Sequence, residues 1–103
     1  MTKVLCRTIL SLRDIYRDES IAAEDASKKK FYLTLSNHYN SFYAILKDNG
    51  IDRLWARFQY IRKHDKDMAK RAMRELFHTV LLDETASNEE FKLAVGYVEE
   101  LVL

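Results

Sequence analysis

Apolar side chains recur along this chain at steps of three and four, the spacing that gathers them on one side of a helix. In the first segment Leu5, Ile9, Leu12 and Tyr16 form such a stripe. Val4, Leu10 and Ile15 fall outside it, on other sides of the same helix. A helix that is apolar on several sides either runs through the middle of a bundle or meets a partner. Asp18-Glu19-Ser20 reads as a link, with Ser20 as the N-cap of the next helix and Glu24-Asp25 in its first turn.

The second helix is expected to end near Asp48, with Phe31, Tyr32, Leu35, Tyr39, Phe42 and Leu46 as its stripe. Upstream in the same phase stand Glu24, Asp25 and Lys28, all charged. Either the first two turns stand off the core or the helix breaks near Ser27. Asn49-Gly50 is a stop signal, because glycine takes the left-handed position after a helix at little cost. A third helix is expected over Asp52 to Lys63, with Leu54, Trp55, Phe58 and Ile61 inward. His64 to Asp67 reads as a turn, Asp65 capping a fourth helix that buries Ala69, Ala72, Met73, Leu76 and Val80. After a link at Asp83 to Ala86, Ser87-Asn88-Glu89-Glu90 fits a capping box. The last helix is expected to bury Phe91, Ala94, Val98 and Leu101, and it finishes on the apolar run Leu101-Val102-Leu103.

Composition sharpens this. The 103 residues include no proline and two glycines, so the usual punctuation of sheets and long loops is missing. With 48% hydrophobic and 32% charged residues the chain can bury a core and is not of the disordered type. The expectation is one domain over residues 1–103, all-α, a compact bundle of four to five mostly antiparallel helices. No stretch approaches the ~18 apolar residues of a membrane span. The single cysteine, Cys6, cannot close an internal disulfide, which suits a reducing, cytoplasmic setting.

Charge adds a second pattern. Residues 51–78 hold eight Lys/Arg against four Asp/Glu, a net of +4, and residues 79–103 hold one against six, a net of −5. Two neighbouring helices could show Arg53, Arg57, Tyr60, Lys63, Lys70, Arg71 and Arg74 as a basic plate with one outward aromatic, the layout that meets phosphates and stacks a base. The plainer reading is a solvated helix face, diluted by Asp67 and Glu75.

Candidate chemistry is sparse. Arg71 and His78 lie at the edge of the spacing used by dimeric helical ribonucleases, a loose pattern that chance often supplies. Glu75-Leu76-Phe77-His78 has the Glu-x-x-His form of di-iron bundles, but lacks the second copy and the further carboxylates such a site needs. His64 with Asp67 is a ligand pair without a third. His38 reads as a histidine at the core edge and Cys6 as a small packed thiol. No phosphate loop, nucleophile elbow or Cys-x-x-Cys occurs. The expectation is therefore a non-catalytic interaction protein without cofactor, metal or small-molecule substrate. It would act by self-association or by docking on a partner protein, with Val4, Leu10, Ile15, Val102 and Leu103 as contacts. A nucleic-acid-binding protein using the basic plate is the alternative.

Overall fold

The computed structural model describes residues 2–102, with side chains over 2–99. It is an all-α bundle of five helices: α1 Lys3–Ala22, α2 Ala26–Asn49, α3 Ile51–His64, α4 Lys66–Leu82 and α5 Asn88–Val102. Successive helices fold back on one another. Tyr16 meets Tyr32 across the link at 23–25, and Phe42 meets Phe58 across Gly50. Each pair is equidistant in sequence from its link, as in an antiparallel hairpin.

Three of the expected helix boundaries are built as the sequence implies. Gly50 adopts φ 87°, a left-handed conformation that an L side chain resists, and its N–H closes α2 onto Leu46 O. Asp65 caps α4 by accepting from Met68 N at 3.0 Å. The Ser87–Glu90 capping box is present, with Ser87 N donating to Glu90 Oε1 at 3.0 Å and Glu90 N donating to Ser87 Oγ at 3.2 Å.

The first boundary differs. Asp18-Glu19-Ser20 is not a link, because α1 continues through it to Ala22. Ser20 Oγ donates back to Arg17 O at 2.6 Å and caps nothing. The N-cap of α2 is Asp25, whose Oδ1 accepts from Ser27 N at 2.7 Å and Lys28 N at 3.3 Å. Of the two alternatives for this stretch, the structure has a break, placed at 23–25 and ahead of Ser27, which lies in the first turn of α2.

The core takes Leu5 and Ile9 from α1, Leu35, Tyr39, Phe42 and Leu46 from α2, and Leu54, Phe58 and Ile61 from α3. From α4 it takes Met68, Ala69, Ala72, Met73, Leu76, Phe77 and Val80, and from α5 Ala94 and Tyr97. Among the described residues no helix is long and apolar enough to cross a membrane.

On α5 the inward face differs from the expected one. Ala94 is buried, but Phe91 is 50% and Val98 39% exposed. Glu90 and Tyr97 turn inward in their place. The physical reason is tertiary. Glu90 Oε2 accepts from Leu5 N at 2.5 Å, one of the first-turn amides of α1 that has no partner within its own helix. One carboxylate thereby serves the positive ends of two helices, and holding it there fixes the rotation of α5.

Candidate functional site

Three groups of side chains carry chemical character. The first joins α1, α2 and α4. Tyr16 Oη donates to the Glu75 carboxylate, reaching Oε1 closely and Oε2 at 2.5 Å. Tyr39 Oη lies 3.3 Å from Glu75 Oε2 and from Ala72 O. Arg71 Nε donates to Glu75 Oε1 at 3.0 Å, and its guanidinium packs over the rings of Tyr16 and Phe31 at 5.5 and 5.2 Å. Burial, then the bond to Glu75, push the Tyr16 hydroxyl up to about 12. Burial and the Glu75 charge also push Tyr39 up. Both phenols are therefore held protonated as donors, and with Arg71 they give the carboxylate three donors from within the chain. The cage ties three helices to each other, with the Glu75 side chain 23% exposed.

The second group is the basic side chains. Arg53, Lys63, Lys70 and Arg74 are exposed, as is Tyr60. They do not all look the same way. Arg57 is half-buried, its guanidinium 5.3 Å over Tyr60, and its charge acts on His38 of α2. The Arg74 charge instead reaches Tyr97 of α5. Arg71 belongs to the cage, turned towards α1. His78 is exposed further along α4, so the two members of the candidate ribonuclease pair have different surroundings. His38 stacks on Phe42 at 6.0 Å, and burial, followed by Arg57, holds it below the usual imidazole range against the opposing pull of Asp65.

Grooves on the surface among the described residues include the following two. One, of about 520 Å³, is bounded by Asn49 to Asp52 and by Glu89, Lys92 and Leu93. The other, of about 270 Å³, is bounded by Arg13, Arg17, Ser36, Asn37 and Asn40. In the second the cations are already answered: Arg13 Nη1 donates to Asn40 Oδ1 at 3.2 Å, and both arginines bond Asp14. Among the described residues no three His, Cys, Asp or Glu side chains converge as metal ligands.

The third group is apolar and outward. Of the contacts proposed on the first helix, Val4 lies in the core at 1% exposure, Leu10 is half-buried and Ile15 is 52% exposed. The Val4 expectation is thereby corrected: the rotation of α1 against its neighbours turns that side inward. Val102 and Leu103 lie outside the residues whose side chains are described. An apolar row lies on α5, where Phe91, Val95 and Val98 follow at i, i+4 and i+7, the outer two exposed and Val95 half-buried. Sequence reasoning assigned Phe91 and Val98 to the core, and the signal it lacked was the Glu90–Leu5 bond. With Leu93, Ala94 and Tyr97 on the inner side, the apolar arc of α5 spans roughly 200°. A surface helix needs only ~100° to cover one core. The surplus leaves Phe91 and Val98 facing outward. No family model, no curated protein and no solved structure matches the chain.

Proposed function

We propose that this chain is a non-catalytic α-helical interaction module that engages a protein through the outward face of α5. The observation that carries the reading is the Phe91–Val95–Val98 stripe, with Phe91 half-exposed on a helix whose other side already meets the bundle. Aromatic side chains that stand in water on a regular helical spacing are the anchors of helix-in-groove recognition. The Glu75 carboxylate is engaged by Tyr16, Tyr39 and Arg71 of its own chain, which favours the same reading over a catalytic one. The lone half-buried Cys6 accords with work in the cytoplasm, where single thiols stay reduced.

The test is the mass of the assembly recovered from native cell extract, before and after nuclease, for the wild type and for Phe91→Ser with Val98→Ser. The reading expects a particle heavier than the 12.2 kDa chain, unchanged by nuclease and lost in the double variant. Both positions face water, so the variant should keep its stability to within about 0.5 kcal/mol. A bare chain in the extract sinks the proposal. So does a particle that shrinks on nuclease treatment, which would move attention to Arg53, Tyr60, Lys63 and Lys70.

A further inference from the structure

We infer that the occupant of the α5 face is a second copy of this chain, docked antiparallel about a two-fold axis. The inference rests on the docking reading of α5 and adds the identity and the register of what docks. A two-fold contact brings one patch against itself, so the patch must be self-complementary. The α5 face meets that condition in its apolar row and in the charges beside it.

Helix phase sets out the face. Phe91, Val95 and Val98 fall within an arc of about 60°. Lys92 and Glu99, seven residues apart, lie on one flank of that row, within about 20° of each other. Both are exposed, and among the described residues neither forms an ion pair. Lys92 borders the larger groove together with Glu89 and Asp52 but bonds neither. Gly96 stands between the two charges on the same side of the helix. A glycine inside a helix is less stable than an alanine there. A Cβ at Gly96 would meet no neighbouring atom within 4 Å, so packing within the chain does not call for a glycine. What the missing side chain leaves is room for a helix that crosses from outside.

Charge decides the occupant and its direction. In an antiparallel α5 pair, Val95 of each copy packs on the partner's Val98. The same register sets Lys92 of each copy beside the partner's Glu99, because the two-fold axis brings the same flank of both helices together. Two ion pairs close, one on each side of the axis. A parallel pair carries the two flanks to opposite sides, and neither charge meets its opposite. The flank sums to zero, so it offers no net attraction to an acidic or to a basic foreign surface. Its order along the helix, cation and then anion, is the order that a reversed copy of itself matches.

The experiment is sedimentation of the purified full chain over a hundredfold range of concentration, at low and high salt, together with charge-swapped variants. The wild type should pass from monomer to dimer, and Phe91→Ser/Val98→Ser should stay monomeric. Lys92→Glu and Glu99→Lys, each alone, put like charges at both contacts and should weaken the dimer at least about threefold at low salt, less at high salt. Mixing the two single variants should restore association as a heterodimer, and Lys92→Glu/Glu99→Lys in one chain should restore the homodimer. A wild type that stays monomeric throughout overturns the second-copy inference. The docking face then stands if the particle from cell extract still depends on Phe91 and Val98, and falls with the inference if it does not. A dimer that survives the double serine change uses another surface and overturns the inference as well. Single charge swaps without effect, or a mixture that recovers nothing, overturn the antiparallel register.

Discussion

Glu90 shows how much one side chain can decide. Its two oxygens accept from Ser87 N and Leu5 N, amides that begin different helices. Each bond replaces water on a backbone donor that its own helix cannot satisfy. Removing the carboxylate, itself 1% exposed, takes the acceptor from both donors, of which Leu5 N is buried and Ser87 N half-buried. Glu90→Ala should therefore cost on the order of 2–4 kcal/mol in urea unfolding, more than an ordinary cap, because two caps go at once. Glu90→Gln keeps an acceptor for one amide and should lose about half as much. If the two variants unfold together with the wild type, the Leu5 bond is not contributing. Tyr97 is the counter-example. It is 5% exposed, and its hydroxyl is buried without a partner. A polar atom in that position costs stability. Tyr97→Phe keeps the ring against Phe77, 5.2 Å away, and should leave the unfolding midpoint equal or raise it by up to ~1 kcal/mol equivalent. A clear drop would mean that the hydroxyl has a partner in solution.

At the scale of elements, the cage where α1, α2 and α4 meet gives the molecule an alkaline limit. Tyr16 and Tyr39 both have hydroxyls raised above the ordinary value of 10.0. The folded chain holds these protons more tightly than the unfolded chain. Their contribution is thus fully present below about pH 10 and is lost as pH climbs, for Tyr16 through about 12. Stability should be flat from neutrality to about pH 9.5 and then fall. Tyr16→Phe should make that fall shallower while costing on the order of 1–3 kcal/mol at neutrality, since Glu75 loses a donor. An unfolding midpoint in the variant that tracks the wild type across the alkaline range would refute this account. None of this cage was legible beforehand. Arg71 and Glu75 read as surface charge four residues apart, and nothing in the spacing ties Tyr16 to a residue 59 positions away. What was legible was local. Asn49-Gly50, Asp65 and Ser87-Glu90 carry their capping chemistry within a few residues, and each works as read. The α1–α2 boundary was not, because Asp18-Glu19-Ser20 has the composition of a turn but no reason to break a helix. Asp25 two turns later takes the amides instead. On α5, the stripes Phe91–Ala94–Val98 and Glu90–Ala94–Tyr97 differ by one residue of rotation. Only a contact to Leu5 distinguishes them, so the outward face was assigned inward.

Across the whole molecule the aromatic rings form one column. Tyr32, Tyr16, Tyr39, Phe42, Phe58, Phe77 and Tyr97 follow one another with centroid separations between 4.6 and 6.0 Å. They come from α2, α1, α2 again, α3, α4 and α5, so every helix contributes a ring. Such pairs add roughly 0.5–1.5 kcal/mol each beyond the area they bury, and all but Tyr39–Phe42, which lies within α2, need the helices on both sides in place. The column therefore predicts that the bundle unfolds as one unit. Phe58 stands within it, fully buried between Phe42 and Phe77. Phe58→Ala should cost about 3–5 kcal/mol, and Phe58→Leu less, because leucine refills much of the space. The informative reading is the comparison of probes. Trp55, the sole tryptophan, lies 6.2 Å from Phe77 and reports the α3–α4 side, whereas helicity by circular dichroism is weighted towards the long α1–α2 hairpin. In the wild type and in both variants the two signals should share one midpoint, moving together as Phe58 is cut back. A hairpin that keeps its helicity after the tryptophan has transferred to water would show that the column does not couple the helices, and that α1 and α2 stand as a unit of their own.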